Sequence, residues 1–118
     1  MAPTDLHQLA NNEYGELATV RATVACSTIM CVSTMAPIRM ERIAEEHQEQ
    51  IKANYPRSTS QLWYQLYFFK NRLYTQRLIQ HAEGCGYKAV VVNVDHCKVG
   101  NRECDVHNKF SLPKGIQA

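Results

Sequence analysis

The stretch Ala89-Val-Val-Val-Asn-Val94 is the feature that most limits the fold. A continuous β-branched run with little polar alternation suits a parallel strand covered on both faces. Parallel neighbours need a long crossover between them, usually a helix. The chain supplies such crossovers. Asn71 is positioned to cap a helix running to about Gly84, with Leu73, Leu78, Ile79 and Ala82 predicted to face inward and Gly86 as the stop. Before it, Leu62 to Phe68 is aromatic and strand-like. Residues 37–53 predict a second helix, with Pro37 in its first turn and Met40, Ile43, Ala44 and Ile51 as its apolar stripe. Thr28 to Val32 predicts a short strand. Residues 12–26 predict a helix capped by Asn11 or Asn12, with Leu17, Val20 and Val24 on one face. Met1-Ala2-Pro3 suits the end of an earlier strand, and residues 95–118 read as a long polar loop.

Strands alternating with helices at this spacing imply right-handed βαβ units, an α/β fold with a parallel sheet. The 118 residues fit one domain of common size. They fall well short of the roughly 250 residues of a complete (β/α)8 barrel. The net charge is +2, with signs mixed along the chain, so no basic stripe for nucleic acid is present. No window approaches the ~18 consecutive apolar residues of a membrane span, so neither nucleic acid nor a membrane is an expected partner. Met1 to Leu9 lacks the basic and apolar regions of a secretory signal. The five cysteines form no Cys-x-x-Cys pair and are expected as reduced thiols of an intracellular protein.

Chemistry in parallel α/β sheets gathers at the carboxyl ends of strands. That rule selects Pro3-Thr4-Asp5, Ser33-Thr34-Met35, Gln65 to Tyr67, and Asn93 to Arg102. The hydroxyls of Thr4, Ser33 and Thr34 and the amides of Gln65 and Asn93 suit the polar edge of a flat heterocycle. Tyr67 adds a hydroxyl on a rigid ring, and Arg102 a bidentate grip on a carboxylate. The plainer alternative is that each of them satisfies local backbone at a strand end.

Several segments together resemble the FMN-dependent 2-hydroxy acid oxidase family, which includes glycolate oxidase. They are Glu16-Leu-Ala-Thr-Val-Arg21, Ile29-Met-Cys-Val-Ser33, Gln65-Leu-Tyr-Phe-Phe-Lys-Asn-Arg72, Gly86-Tyr-Lys-Ala89, Asn93-Val-Asp95 and Val99-Gly-Asn-Arg102, followed by Asp105, Asn108, Phe110 and Leu112-Pro113. The resemblance runs in order over nearly the whole chain. It implies a partial TIM (β/α)8 barrel, about the first four βα units with parallel strands, so that residues 1–118 are one partial domain truncated at both ends. It implies FMN as cofactor. Pro3, Thr4 and Asp5 would lie beside the flavin, Ser33 and Gln65 would hydrogen-bond its ring, and Asn93 would contact it. Tyr67 and Arg102 would bind the hydroxyl and carboxylate of a small 2-hydroxy acid substrate. Family enzymes convert an (S)-2-hydroxy acid to a 2-oxo acid, and the oxidases pass the electrons to O2 to form hydrogen peroxide. The family is often peroxisomal, although the terminal Gly115-Ile-Gln-Ala118 is not a peroxisomal tripeptide.

This chain departs from the family at Asp5, where Ala is typical, at Met35, where Trp is frequent, and at Asn93, where Thr is usual. His96-Cys97 stands in place of Thr-Pro, and the segment between Met35 and Gln65 is about ten residues longer than is usual in such chains. The family's catalytic His, a second substrate Arg, a flavin-contacting Lys and the phosphate-holding groups have no counterpart in these residues. No catalytic residue is therefore expected, and His7, His47, His81, His96 and His107 match no base motif. His96-Cys97 with Cys104 and His107 fits no common zinc spacing, so no metal is expected. Glu45, Glu46 and Glu49 read as a solvated helix face. Trp63, Tyr64, Phe68 and Phe69 read as packing. Two functional readings remain: a segment of an FMN-dependent oxidase, or a non-catalytic half-barrel that self-associates through its open edges. Under either, the purified chain is expected to lack stoichiometric flavin absorbance and to form no peroxide from glycolate or lactate; a yellow, active preparation would contradict this.

Overall fold

The computed structural model describes residues 1–95 and 100–116. Its elements run in the order α1 (Glu16–Ala25), β1 (Ile29–Val32), α2 (Met40–Ala53), β2 (Gln61–Tyr67), α3 (Arg72–Gly84), β3 (Ala89–Asn93) and α4 (Glu103–His107), after a short 3-10 turn at His7–Leu9. The three strands form one parallel sheet in the order β1-β2-β3, with α2 and α3 as the crossovers. The α/β fold expected from the sequence is thus present. Met1 extends the sheet beyond β1: its amino group donates to Ile29 O at 2.6 Å, and Cys31 N donates back to Met1 O at 3.1 Å. The N-terminal residues therefore leave the sheet on the same side as the strand ends.

Strand pairing puts alternate residues on opposite faces. One face carries Met30, Val32, Leu62, Tyr64 and Leu66, all buried against Val20 and Val24 of α1, Ile43 and Ala44 of α2, and Ala82 of α3. This is the core, and the apolar stripes of α1 and α2 face it as their spacing predicts. The Tyr87 ring meets Tyr64 edge-on at 5.8 Å between centroids, and its hydroxyl donates to Met40 O at 3.0 Å.

Several boundaries and faces differ from the sequence expectations. Helix α1 begins at Glu16, because Gly15 adopts φ +49 and interrupts the turn in front of it. A Cβ there would sit 2.7 Å from Gln8 Cγ, so the position needs glycine twice over. Asn11 caps that turn, accepting from Tyr14 N at 3.0 Å, rather than the helix. Helix α2 begins at Met40, past Pro37, since Arg39 is extended at ψ 140. In α3, Asn71 does cap, accepting from Tyr74 N at 3.2 Å. Its buried stripe, however, is Thr75, Leu78, Ile79 and Ala82, and Leu73 is 67% exposed because it falls off that spacing. Strand β3 was expected to be buried on both faces, yet Val90 and Val92 are exposed. Among the described residues β3 pairs along one edge only, and Val90 and Val92, in register with Tyr64 and Leu66, lie at the open margin of the core face. Phe68 is exposed rather than packed, and the tail contains the short α4, too brief to show a period in sequence.

Glu46 is the clearest correction. It was expected on a solvated face, but its side chain is 3% exposed. Arg21 Nε of α1 donates to it at 2.7 Å, Arg42 Nη2 at 3.0 Å and Gln50 Nε2 at 2.9 Å. The pairing fastens α1 to α2, and the Arg21 guanidinium also lies 4.7 Å from the Tyr14 ring centre. The Arg21 hydrogen bond holds the Glu46 carboxyl below the usual carboxylate range. A carboxylate depressed on folding contributes fully above its unfolded pKa and loses that contribution as pH falls through the folded one. Both arginines stay more than 40% exposed, so the cost of removing Glu46 lies below that of a fully buried pair. Glu46→Ala is expected to lower the unfolding free energy by about 2 kcal/mol in urea titration near neutral pH. The gap to the parent should shrink as pH drops below about 4; a gap independent of pH would contradict the ion-pair account.

Candidate functional site

Because the strands are parallel, their carboxyl ends lie side by side. Ser33 follows β1, Gln65 and Tyr67 close β2, and Asn93 closes β3 in register with Tyr67. Residues Pro3 to Asp5 arrive from Met1 at the same end. These residues are joined by a continuous hydrogen-bond chain. The Ser33 hydroxyl donates to Asp5 Oδ1, and its oxygen accepts from Met35 N at 3.1 Å. It also stands 3.4 Å from Gln65 Oε1. Gln65 Oε1 accepts from Thr34 N at 3.1 Å, while the Thr34 hydroxyl donates to Gln65 O. Gln65 Nε2 donates to Asn93 Oδ1 at 3.0 Å, and Asn93 Nδ2 donates to Asp95 Oδ1 at 3.3 Å.

The chain fixes the orientation of each amide. The Asp95 carboxylate can only accept, so it holds the Asn93 nitrogen toward itself and turns Asn93 Oδ1 toward Gln65. That in turn sets Gln65 Oε1 against Thr34 N. Gln65 is 2% exposed, and burial makes such a satisfied network stiff.

Two cavities open on this cluster. One, of about 340 Å3, is lined by Pro3, Thr4 and Asp5, by Ser33, by Gln65 and Tyr67, and by Asn93. All six residues singled out for the cofactor in the sequence line it together. The second, of about 890 Å3, shares Asp5, Tyr67 and Asn93 and adds Arg102, Lys70 and an apolar wall of Met35, Phe68, Phe69, Val92 and Val94. The two residues singled out for substrate, Tyr67 and Arg102, both face this space. Arg102 precedes α4, with its guanidinium 3.5 Å from Asp105 Oδ2 and largely exposed. Both volumes fall in the range of small-molecule sites.

The sequence reading missed Lys70 and the aromatic wall. The signal was their position directly after β2, in the strand-end window that also holds Tyr67. Among the described residues, no histidine lines either cavity. His7 Nδ1 is 2.9 Å from Thr19 Oγ1, His47 Nε2 is 2.7 Å from Ser60 Oγ, and His81 Nε2 is 2.8 Å from Glu41 Oε1. Burial pushes the Cys31 thiol up, away from thiolate chemistry. His96 and Cys97 lie outside the described residues, and among those described no group of three metal-ligating side chains occurs.

Gln65→Leu would leave Thr34 N–H without its acceptor and Asn93 Oδ1 without its donor. It is expected to cost about 2 kcal/mol of stability and to shift the Thr34 amide resonance in a 1H–15N spectrum; unchanged stability and an unmoved Thr34 signal would contradict the chain as drawn.

The sequence profile of the family described as FMN-dependent dehydrogenase matches residues 1–118. Glycolate oxidase 2 of Oryza sativa subsp. indica is 40% identical over 116 residues, covering 98% of this chain and 28% of its own length. A peroxisomal (S)-2-hydroxy-acid oxidase of the same organism is 39% identical over 114 residues, covering 97% of this chain and 28% of its own. The chain thus spans little more than a quarter of the curated relatives it matches. The crystal structure of mandelate oxidase with (S)-4-hydroxymandelic acid superposes with a TM-score of 0.83 at 29% identity, over 100% of this chain and 30% of that one. A partial barrel accounts for that coverage.

Proposed function

The chain belongs to the FMN-dependent dehydrogenase family, and from that premise we propose that it forms the ring-edge and substrate-carboxylate side of an FMN-dependent (S)-2-hydroxy acid oxidase, with residues 1–118 as one partial domain. The observation that carries the reading is the gathering of Pro3, Thr4, Asp5, Ser33, Gln65 and Asn93 around one cavity. The donor set suits a flavin. Gln65 spends one N–H on Asn93 and keeps a second to donate, the Ser33 oxygen keeps a lone pair to accept, and the Asn93 amide and the Pro3–Asp5 backbone border the same slot. When bound, FMN supplies the redox chemistry that converts a 2-hydroxy acid to a 2-oxo acid and delivers the electrons to O2 as hydrogen peroxide.

The residues of this chain bind and orient. Tyr67 would hydrogen-bond the substrate's hydroxyl or carboxylate. Arg102 would pair with that carboxylate in bidentate fashion, with Lys70 adding positive charge to the same cavity. The wall of Met35, Phe68 and Phe69 would exclude water from the reacting carbon. No catalytic base is assigned to these residues. The relative named as peroxisomal supports a peroxisomal location.

A second reading, a non-catalytic half-barrel that pairs with further copies of itself, is favoured by the open edge of β3 and by Val90 and Val92, which lie exposed on the sheet face shared with Tyr64 and Leu66. The two separate in one titration. FMN added to the protein is expected to lose fluorescence saturably, and Gln65→Ala is expected to bind at least about fivefold more weakly, as the loss of one hydrogen bond implies. Equal affinity in the variant, or no binding by the parent, would contradict the flavin site.

A further inference from the structure

Asp5 is the only acidic side chain, among the described residues, that lines either strand-end cavity, and it lines both. Its Oδ1 accepts the Ser33 hydroxyl proton. That proton is therefore not available to a ligand, and the hydroxyl oxygen is already shared with Met35 N. The carboxylate brings a full negative charge to a slot otherwise bordered by neutral amides and hydroxyls. The two cations nearby, Lys70 and Arg102, line the larger cavity and not this slot.

We propose that Asp5 is a selectivity residue that makes this slot favour a neutral flat ring over an electron-rich, anionic one. The inference rests on the flavin reading above and concerns which redox form of FMN the slot prefers. Oxidised FMN is neutral at its ring, whereas reduced FMN at mildly alkaline pH carries a negative charge there. A fixed carboxylate lining the slot disfavours an anionic ring there, whereas polar neutral neighbours do not. The preference shows in a ratio of affinities, so any general loosening of the pocket by a substitution cancels out of it.

The test measures dissociation constants of oxidised and of dithionite-reduced FMN, anaerobically and at low salt, for the parent, Asp5→Asn and Asp5→Glu. Asp5→Asn keeps a side-chain oxygen for Ser33 and removes the charge. It is expected to improve the reduced-to-oxidised affinity ratio by about fivefold to tenfold, with the gain shrinking as salt is raised. Asp5→Glu retains the charge and is expected to keep the parent ratio. The same ratio in Asp5→Asn and the parent, or a gain insensitive to salt, overturns the role given to Asp5 and leaves the flavin site standing. No binding of either form by any of the three proteins overturns both. Asp5→Ala serves as the uncharged variant if Asp5→Asn does not fold.

Discussion

Parallel pairing of β1, β2 and β3 is the constraint from which the site follows. Antiparallel neighbours would scatter the residues that close each strand to opposite ends of the sheet. Parallel neighbours collect them, so Ser33, Gln65 and Asn93 stand in a row and Met1 carries Pro3, Thr4 and Asp5 to the same place. Each crossover helix that makes the pairing possible also buries the far face of the sheet. The apolar core and the polar cluster are thus two faces of one arrangement.

The polar cluster is held by acceptors at both ends, Asp5 beyond Ser33 and Asp95 beyond Asn93. Between them the Gln65 amide has a single orientation compatible with its neighbours. Preorganised donors of this kind lose little freedom when a ligand arrives. The support beneath is of a different nature. Glu46, sunk between Arg21 and Arg42, fixes α1 against α2 by charge, and Val20, Val24, Ile43 and Leu66 fix the helices against the sheet by burial.

Much of this was legible in the residues. The β-branched run at 89–94 and the helical stripes gave strand and helix identity, because periodicity reports burial directly. The strand-end rule then pointed at the residues that line the two cavities. What was hidden depends on partners far apart in sequence. Nothing local marks Glu46 as buried, since its counter-charge Arg21 lies on another helix. Leu73 looked apolar enough to face inward, yet it misses the stripe set by Thr75, Ile79 and Ala82. Gly15 announced itself only as a glycine, and the close approach of Gln8 explains why the helix waits until Glu16. The exposure of Val90 and Val92 follows from edge position, which no single strand encodes.

The most direct measurement is a crystal structure of the protein soaked with FMN to saturation. The account predicts the isoalloxazine edge in the slot between Pro3–Asp5 and Asn93, with its polar atoms within hydrogen-bond distance of Gln65 and Ser33 and with the Gln65–Asn93 bond intact. A ring seated elsewhere on the molecule, or density in the slot that leaves Gln65 and Ser33 without a contact, would contradict it.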